Sequence, residues 1–200
     1  MRYRSGNAMS QVPNWVEYYK NTKGSPPSAL LLRALPFVHA KKTALDLGGG
    51  NLKDTPTLLQ EGFQITVVDQ EPLMRSLAEN FPADSFKTIV SSFADFAFPI
   101  ESFDLVTANY ALPFNPPETF DRMFRDLKAS VKKEGIFCGQ FFGVRDEWSS
   151  NPQRTFHTKE QVEALFSEWE ILFFQEEEKD GKIADGTPKH WHVFHIIAKK

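Results

Sequence analysis

Cysteine is nearly absent. The one present, Cys138, rules out an internal disulfide, and its setting in Ile136-Phe137-Cys138-Gly139 reads as a small buried strand residue rather than a reactive thiol. Long apolar runs are missing: nothing approaches the roughly 18 residues of a membrane-spanning helix, so no membrane partner is expected. Met1 to Gln11 are polar, include Arg2 and Arg4, and lack the apolar centre of a secretory signal. Residues 1–11 are therefore expected to be a flexible tail, and the protein is expected to be cytoplasmic. No Lys/Arg block stands out and the net charge is −3, which argues against a broad nucleic-acid footprint. No internal repeat or low-complexity linker divides the chain. At 200 residues it suits one domain, residues 12–200, able to bury about 70% of its unfolded surface.

Phenylalanine is plentiful, with 19 copies, many at expected strand ends and loops. That placement implies an aromatic-lined pocket as well as a core. From residue 43 the elements alternate as an α/β sheet requires. Strands are expected at 43–47, 64–69, 86–91, 103–108 and 136–142. Two more, at 169–177 and 190–198, are joined by a stretch holding the turn dipeptides Asp180-Gly181 and Asp185-Gly186, so they form an antiparallel hairpin. Helices are expected after Pro56 and ending at Gly62, after Pro72, and over 116–131, where Phe120, Met123, Phe124, Leu127 and Val131 recur at helical spacing. A last helix follows the capping box Thr158-Lys159-Glu160-Gln161. Ahead of the first strand, residues 12–40 carry two short helices. They could lie over the strand ends as a lid or simply cover a sheet face.

The most informative stretch is Asp46-Leu47-Gly48-Gly49-Gly50, an apolar strand that stops in a glycine turn. Glycines permit φ > 0 and let a ligand approach the backbone. The next apolar run ends in Asp69-Gln70. Two successive strands ending in acids point to a nucleoside at the C-terminal edge of a parallel sheet. The triphosphatase loop, Gly, four residues, then Gly-Lys-Ser/Thr, is absent. A dinucleotide fingerprint needs a third glycine at position 53, which holds Lys53.

These residues resemble the first motif of the class I methyltransferases: an acid, any residue, Gly, any residue, Gly. Leu52 stands where that family often has a further glycine. The resemblance extends along residues 40–200, and more weakly toward the small-molecule branch that includes tellurite-resistance methyltransferases. It implies a doubly wound, mostly parallel seven-stranded sheet of Rossmann-like form with an antiparallel last strand. It implies S-adenosyl-L-methionine as cofactor, held by Asp46, Gly48, Gly49, Gly50, Asp69, Gln70, Asp95, Phe96 and Asn109. In this scheme Asp69 accepts from the ribose hydroxyls, Asp95 from the adenine amine, and Phe96 covers the ring. Asp104, early in its strand, reads instead as a solvated end.

The acceptor would then be a small molecule, received by segments that ring the strand mouths. Candidate substrate contacts are Trp15, Tyr18, Tyr19, Phe114, Arg145 and Trp148; candidate catalytic groups are Tyr110 and His157. His157 could act as base or only pack its loop, and Arg145 could bind an anion or pair with Asp146. Lys189 and His190 are secondary candidates. His190 and His192 share a strand face and His195 takes the other, so no metal site is expected. The chain is expected to act as a monomer or homodimer. A nicotinamide-dependent oxidoreductase is the rival reading, and a donor-binding regulatory module without turnover is another.

Overall fold

The computed structural model describes residues 18, 19, 21, 22, 24–40 and 42–200. Eight strands form one sheet: β1 (Thr43–Leu47), β2 (Gln64–Asp69), β3 (Phe86–Val90), β4 (Phe103–Ala108), β5 (Val131–Gly143), β6 (Phe156–His157), β7 (Glu170–Lys182) and β8 (Pro188–Lys199). The order is β3-β2-β1-β4-β5-β8-β7, with β6 beside the end of β5. Strands β1 to β5 are parallel neighbours; β8 runs antiparallel to both β5 and β7. This is the doubly wound sheet expected from the alternation, with the hairpin inserted beside β5.

Alternation along the strands sorts the core into two layers. Leu45, Leu47, Val106, Phe137, Phe141 and Phe194 pack beneath α4 (Pro117–Ser130) and α5 (Lys159–Leu165). Ala44, Val67, Leu105, Ile136, Cys138 and Ile197 pack beneath α1 (Ala29–Ala34), α2 (Thr55–Gln60) and α3 (Met74–Ala78). Central strands are apolar on both faces because both are covered. The local signals behave as their chemistry requires. Gly62 ends α2 at φ +88, and Thr158 and Gln161 close a reciprocal capping box on α5. Of the N-terminal elements, α1 covers the sheet: its Leu30, Leu31 and Ala34 are buried in the second layer.

Three expectations are corrected and one element is added. The two-residue strand β6 is too short for any periodicity to reveal. The hairpin is longer than expected, and Asp180-Gly181 lies inside the ladder opposite His190 and Lys189; the turn is at Asp185-Gly186, where Gly186 takes φ +90. Gly181 lies close under Trp191: a Cβ there would come 3.1 Å from the ring, tighter than ordinary packing. Asp104 is no solvated end. Only 6% exposed, it accepts from the Thr43 N–H at 2.9 Å and pairs with Lys132 at 3.0 Å, which holds its carboxyl below the usual range. It ties the lower ends of β1, β4 and β5 together.

Candidate functional site

The glycine turn leaves β1 at the strand mouths. Gly48 and Gly50 take φ +71 and +51. A Cβ on Gly49 would come within 2.2 Å of Val67 Cγ1, and one on Gly48 within 2.5 Å of Ala111 Cβ, so both glycines are fixed by packing. Gly50 is different: the nearest heavy atom to its notional Cβ is Tyr18 Cε1 at 3.6 Å, so the backbone there is open to approach. Leu52, at the family's further glycine position, takes φ +60 while 2% exposed. The turn keeps its left-handed geometry at that position although a side chain must bear it.

Three carboxylates converge on this turn. Asp46, 3% exposed, has its carboxyl pushed well above the usual range by burial and by the charges of Asp54 and Asp69, with Lys53 opposing. Asp69 accepts from the Gly50 N–H and the Glu71 N–H, each at 2.9 Å. Burial raises its pKa and those hydrogen bonds restrain the rise. Two N–H donors leave lone pairs on its oxygens for further hydroxyls. Asp54 accepts from the Ser28 N–H at 2.6 Å, the Ser28 hydroxyl at 2.7 Å and the Asn109 amide at 2.9 Å. Asn109 Oδ1 and Thr55 Oγ1 are buried without a hydrogen-bond partner. An acidic turn with orphaned acceptors suits a ligand that brings N–H donors and positive charge.

The other expected cofactor contacts fall nearby or on the surface. Gln70 is exposed beside Asp69. Asp95 is exposed and accepts from the Ser92 hydroxyl at 2.6 Å. Phe96 packs edge-on to Phe98, ring centroids 4.8 Å apart. Phe93, which sequence reasoning passed over, lies 3.4 Å from the notional Cβ of Gly48. Trp15 lies outside the described residues. Tyr18 stands against Gly50, and its pKa is raised by burial and then by Asp69 and Asp54. Tyr19 meets it edge-on at 6.1 Å. The Asn51 amide donates to the Thr22 carbonyl, fixing this helical turn over the glycines.

Tyr110 and His157 are not brought together. Tyr110 is 41% exposed at φ +52, its N–H donating to Gln140 Oε1 at 2.9 Å, and its ring meets Phe142, Trp191 and His195. His157 pairs with Gly143 in register, one residue on from Phe142, so it points to the other sheet face. Its ring packs on Phe120 and Phe141 at 4.8 and 5.5 Å, and burial pulls its pKa down to about 4.

Arg145 does not pair with Asp146. Its guanidinium donates to Glu176 and Glu178 at 2.8 Å, because Asp146 is already taken by Lys189. Lys189 is 3% exposed and boxed by Trp191, Trp148 and Phe142, with Nζ 3.6, 4.3 and 5.1 Å from the ring centres. Trp148 also stacks Arg154 at 3.9 Å and meets Phe114 at 6.3 Å. His190 pairs with Asp180 and His192 with Glu176. Among the described residues no group of three or more His, Cys, Asp or Glu could hold a metal, and no helix is long and apolar enough to cross a membrane.

Residues 45–139 match the family model described as a methyltransferase domain. The match covers the glycine turn, Asp69 and all of β2 to β4. Over this segment the chain is similar to the methyltransferase domain family. S-adenosylmethionine is the methyl donor of this class. Solved structures agree on the fold. TehB from Haemophilus influenzae aligns with a TM-score of 0.65 and 16% identity, over 79% of this chain and 57% of TehB. A methyltransferase from Methanosarcina mazei aligns with a TM-score of 0.64 and 18% identity, over 88% of this chain and 98% of its own. The 1,6-didemethyltoxoflavin-N1-methyltransferase of Burkholderia thailandensis, solved with that substrate and S-adenosylhomocysteine, aligns with a TM-score of 0.64 and 18% identity, covering 92% and 84%. At such identities the methyltransferase likeness is one of fold. No curated protein matches the sequence.

Proposed function

We propose that this methyltransferase transfers the methyl group of S-adenosylmethionine to a small-molecule acceptor. The observation that carries the reading is the convergence of Asp46, Asp54 and Asp69 on an open glycine backbone. Three carboxylates in one place disfavour one another's ionisation, and a cationic ligand relieves that repulsion. A sulfonium with an ammonium group supplies positive charge; a dinucleotide would bring its pyrophosphate into the same negative field. The electrostatics therefore favour the sulfur nucleoside over a nicotinamide cofactor.

The residues divide the work. Asp69 keeps lone pairs for the ribose hydroxyls, Gly50 lets the ligand reach the backbone, and Asn109 Oδ1 accepts from the ammonium. Gln70, Asp95 and Phe96 border the nucleoside end. Tyr18 and Tyr19 form part of a lid that excludes water. The bound cofactor supplies a methyl group already activated on sulfur, so alignment is the main demand on the protein. Tyr110, Phe114 and Trp148 wall the acceptor side. The 1,6-didemethyltoxoflavin bound by the Burkholderia relative agrees in kind with a small-molecule acceptor.

A thermal-shift comparison tests the reading. Donor or S-adenosylhomocysteine at about 100 times its Kd should stabilise by about 2.7 kcal/mol, raising Tm by about 5–10 °C. A shift with NAD(P) and none with either sulfur nucleoside would overturn it.

A further inference from the structure

The α1-covered sheet face changes character partway up. Ile136, Cys138, Ile197 and Phe173 are packed beneath α1. The next rungs on the same face hold Gln140, His195 and Gln175, then Val193 and Glu177, then Trp191 and Lys179, read from the register Gln140↔His195, Gln175↔His195, Glu177↔Val193 and Lys179↔Trp191. Apolar packing gives way to polar and aromatic groups where the face meets Tyr110, the strand-mouth residue beside Asn109. Tyr110 is held there at φ +52, a conformation a non-glycine residue adopts at a cost.

A hydrogen-bond chain fixes the chemistry of this patch. Gln140 Oε1 accepts from the Tyr110 N–H at 2.9 Å, which turns the Gln140 amide N–H₂ toward His195 Nδ1 at 3.5 Å. Nδ1 is then the acceptor of the imidazole, and the proton of the neutral ring sits on Nε2. Nε2 is buried without a hydrogen-bond partner, and the nearest carboxylate, Glu177, is 4.0 Å away. Burial lowers the His195 pKa while Glu177 opposes and Lys179 assists, keeping the ring neutral. Glu177 Oε1 is itself paired with Lys179 Nζ at 2.7 Å, so the patch presents one N–H donor beside an ion pair whose carboxylate keeps lone pairs for a further donor, flanked by the rings of Tyr110 and Trp191, which meet at 6.0 Å.

We propose that His195 and Glu177 select the methyl acceptor, and that the acceptor is a planar lactam whose neighbouring C=O and N–H meet His195 Nε2–H and the Glu177 carboxylate. This rests on the methyltransferase reading above and names its substrate class. Flat rings suit the aromatic flanks, and an acceptor lacking the lactam edge would leave both protein groups unpaired.

The test uses 2-quinolone as lactam probe and naphthalene as a flat control, titrated by tryptophan fluorescence with S-adenosylhomocysteine present. Wild-type protein should bind 2-quinolone at least about tenfold tighter. His195→Phe and Glu177→Leu should each cut that preference about fivefold, the worth of one net hydrogen bond. N-methyl-2-quinolone should lose the Glu177 share and bind wild type and Glu177→Leu alike. S-adenosylhomocysteine affinity should stay at the wild-type value in both variants, which certifies their fold. Without any variant, the His195 Nε2–H resonance should move on adding 2-quinolone and stay still with naphthalene. Equal binding of the two probes, a preference that survives His195→Phe, or an unmoved resonance would overturn the proposal while leaving the donor site intact. Failure to bind S-adenosylhomocysteine would instead overturn the methyltransferase reading, and this one with it.

Discussion

Lys189 and Asp146 form an ion pair with both side chains sealed from water, Nζ lying 2.7 Å from Oδ1. Asp146 also accepts from the backbone N–H groups of Trp148 and His192. The pair joins the loop after β5 to the start of β8, and the three aromatic rings around Nζ exclude solvent. Such a pair costs much to break because the survivor is left charged and buried. Asp146→Ala should lose about 3–5 kcal/mol. For a chain of this size that lowers Tm by about 6–20 °C, measurable by calorimetry. Lys189→Met in the same background should restore part of it; a double variant no better than the single would contradict this account.

Asp69→Ala should weaken donor binding without unfolding the protein. Two hydrogen bonds to a charged acceptor are at stake, about 1.5 kcal/mol or more each, so the Kd should rise about 100-fold or more. Isothermal titration with S-adenosylhomocysteine reads this directly. Retained affinity would remove Asp69 from the ribose.

Donor binding should strengthen with pH. Asp46 and Asp69 have folded-state pKa values raised above 3.8. Each binds its proton more tightly in the folded than in the unfolded chain, so their contribution to stability is present below about pH 4 and is lost as pH rises through the raised values. A cationic ligand prefers the ionised forms and should release protons on binding over that window. Calorimetry in two buffers of different ionisation enthalpy counts those protons. None released, at any pH above 4, would place the ligand's charge elsewhere.

His157 offers a contrasting pH effect. Its folded pKa of about 4 lies below the ordinary value of 6.5. The unfolded chain therefore binds the extra proton first, and stability falls as pH drops from 6.5 towards 4. His157→Phe should flatten that slope, seen in urea midpoints across the range, and should leave methyl transfer in place. Loss of transfer with normal donor binding would return His157 to the catalytic set.

Gly49→Ala should be poorly tolerated. The added Cβ would sit 2.2 Å from Val67 Cγ1, so β2 must move. Overpacking of this kind costs about 1–3 kcal/mol, and the shift would carry Asp69 with it. Both the urea midpoint and the donor affinity should fall. The companion Gly50→Ala meets nothing nearer than 3.6 Å but must hold φ +51, a backbone strain of about 1 kcal/mol, so it should lower the midpoint less than Gly49→Ala does.

The sheet was legible because its signals are local. The apolar run ending in Asp46, the glycine stop at 62 and the Thr158 box each act within a few residues. What escaped depends on partners far apart in sequence. Asp54 precedes Thr55-Pro56 like an ordinary cap, yet it serves Ser28, 26 positions away. Asp104 meets Thr43 from 61 positions away. Arg145 and Asp146 are neighbours in sequence and point to different partners, since adjacent residues leave a strand end in different directions. Alternation correctly separated His195 from His190 and His192, but only the register of β8 against β5 shows that it faces Gln140.

That register also bears on how the molecule is made. Strand β8 follows β7 in the chain but lies between β7 and β5. During synthesis β5 emerges with its outer edge bare, and β7 cannot cover it. The wall holding Trp191 and His195 therefore closes only after β8 leaves the ribosome. Until then an open edge beside Phe141 and Phe142 is available for wrong pairings. Non-local closure of this kind makes folding slow, and it makes the hairpin turn at Asp185-Gly186, which aligns β8 for insertion, a control point for yield as well as for structure.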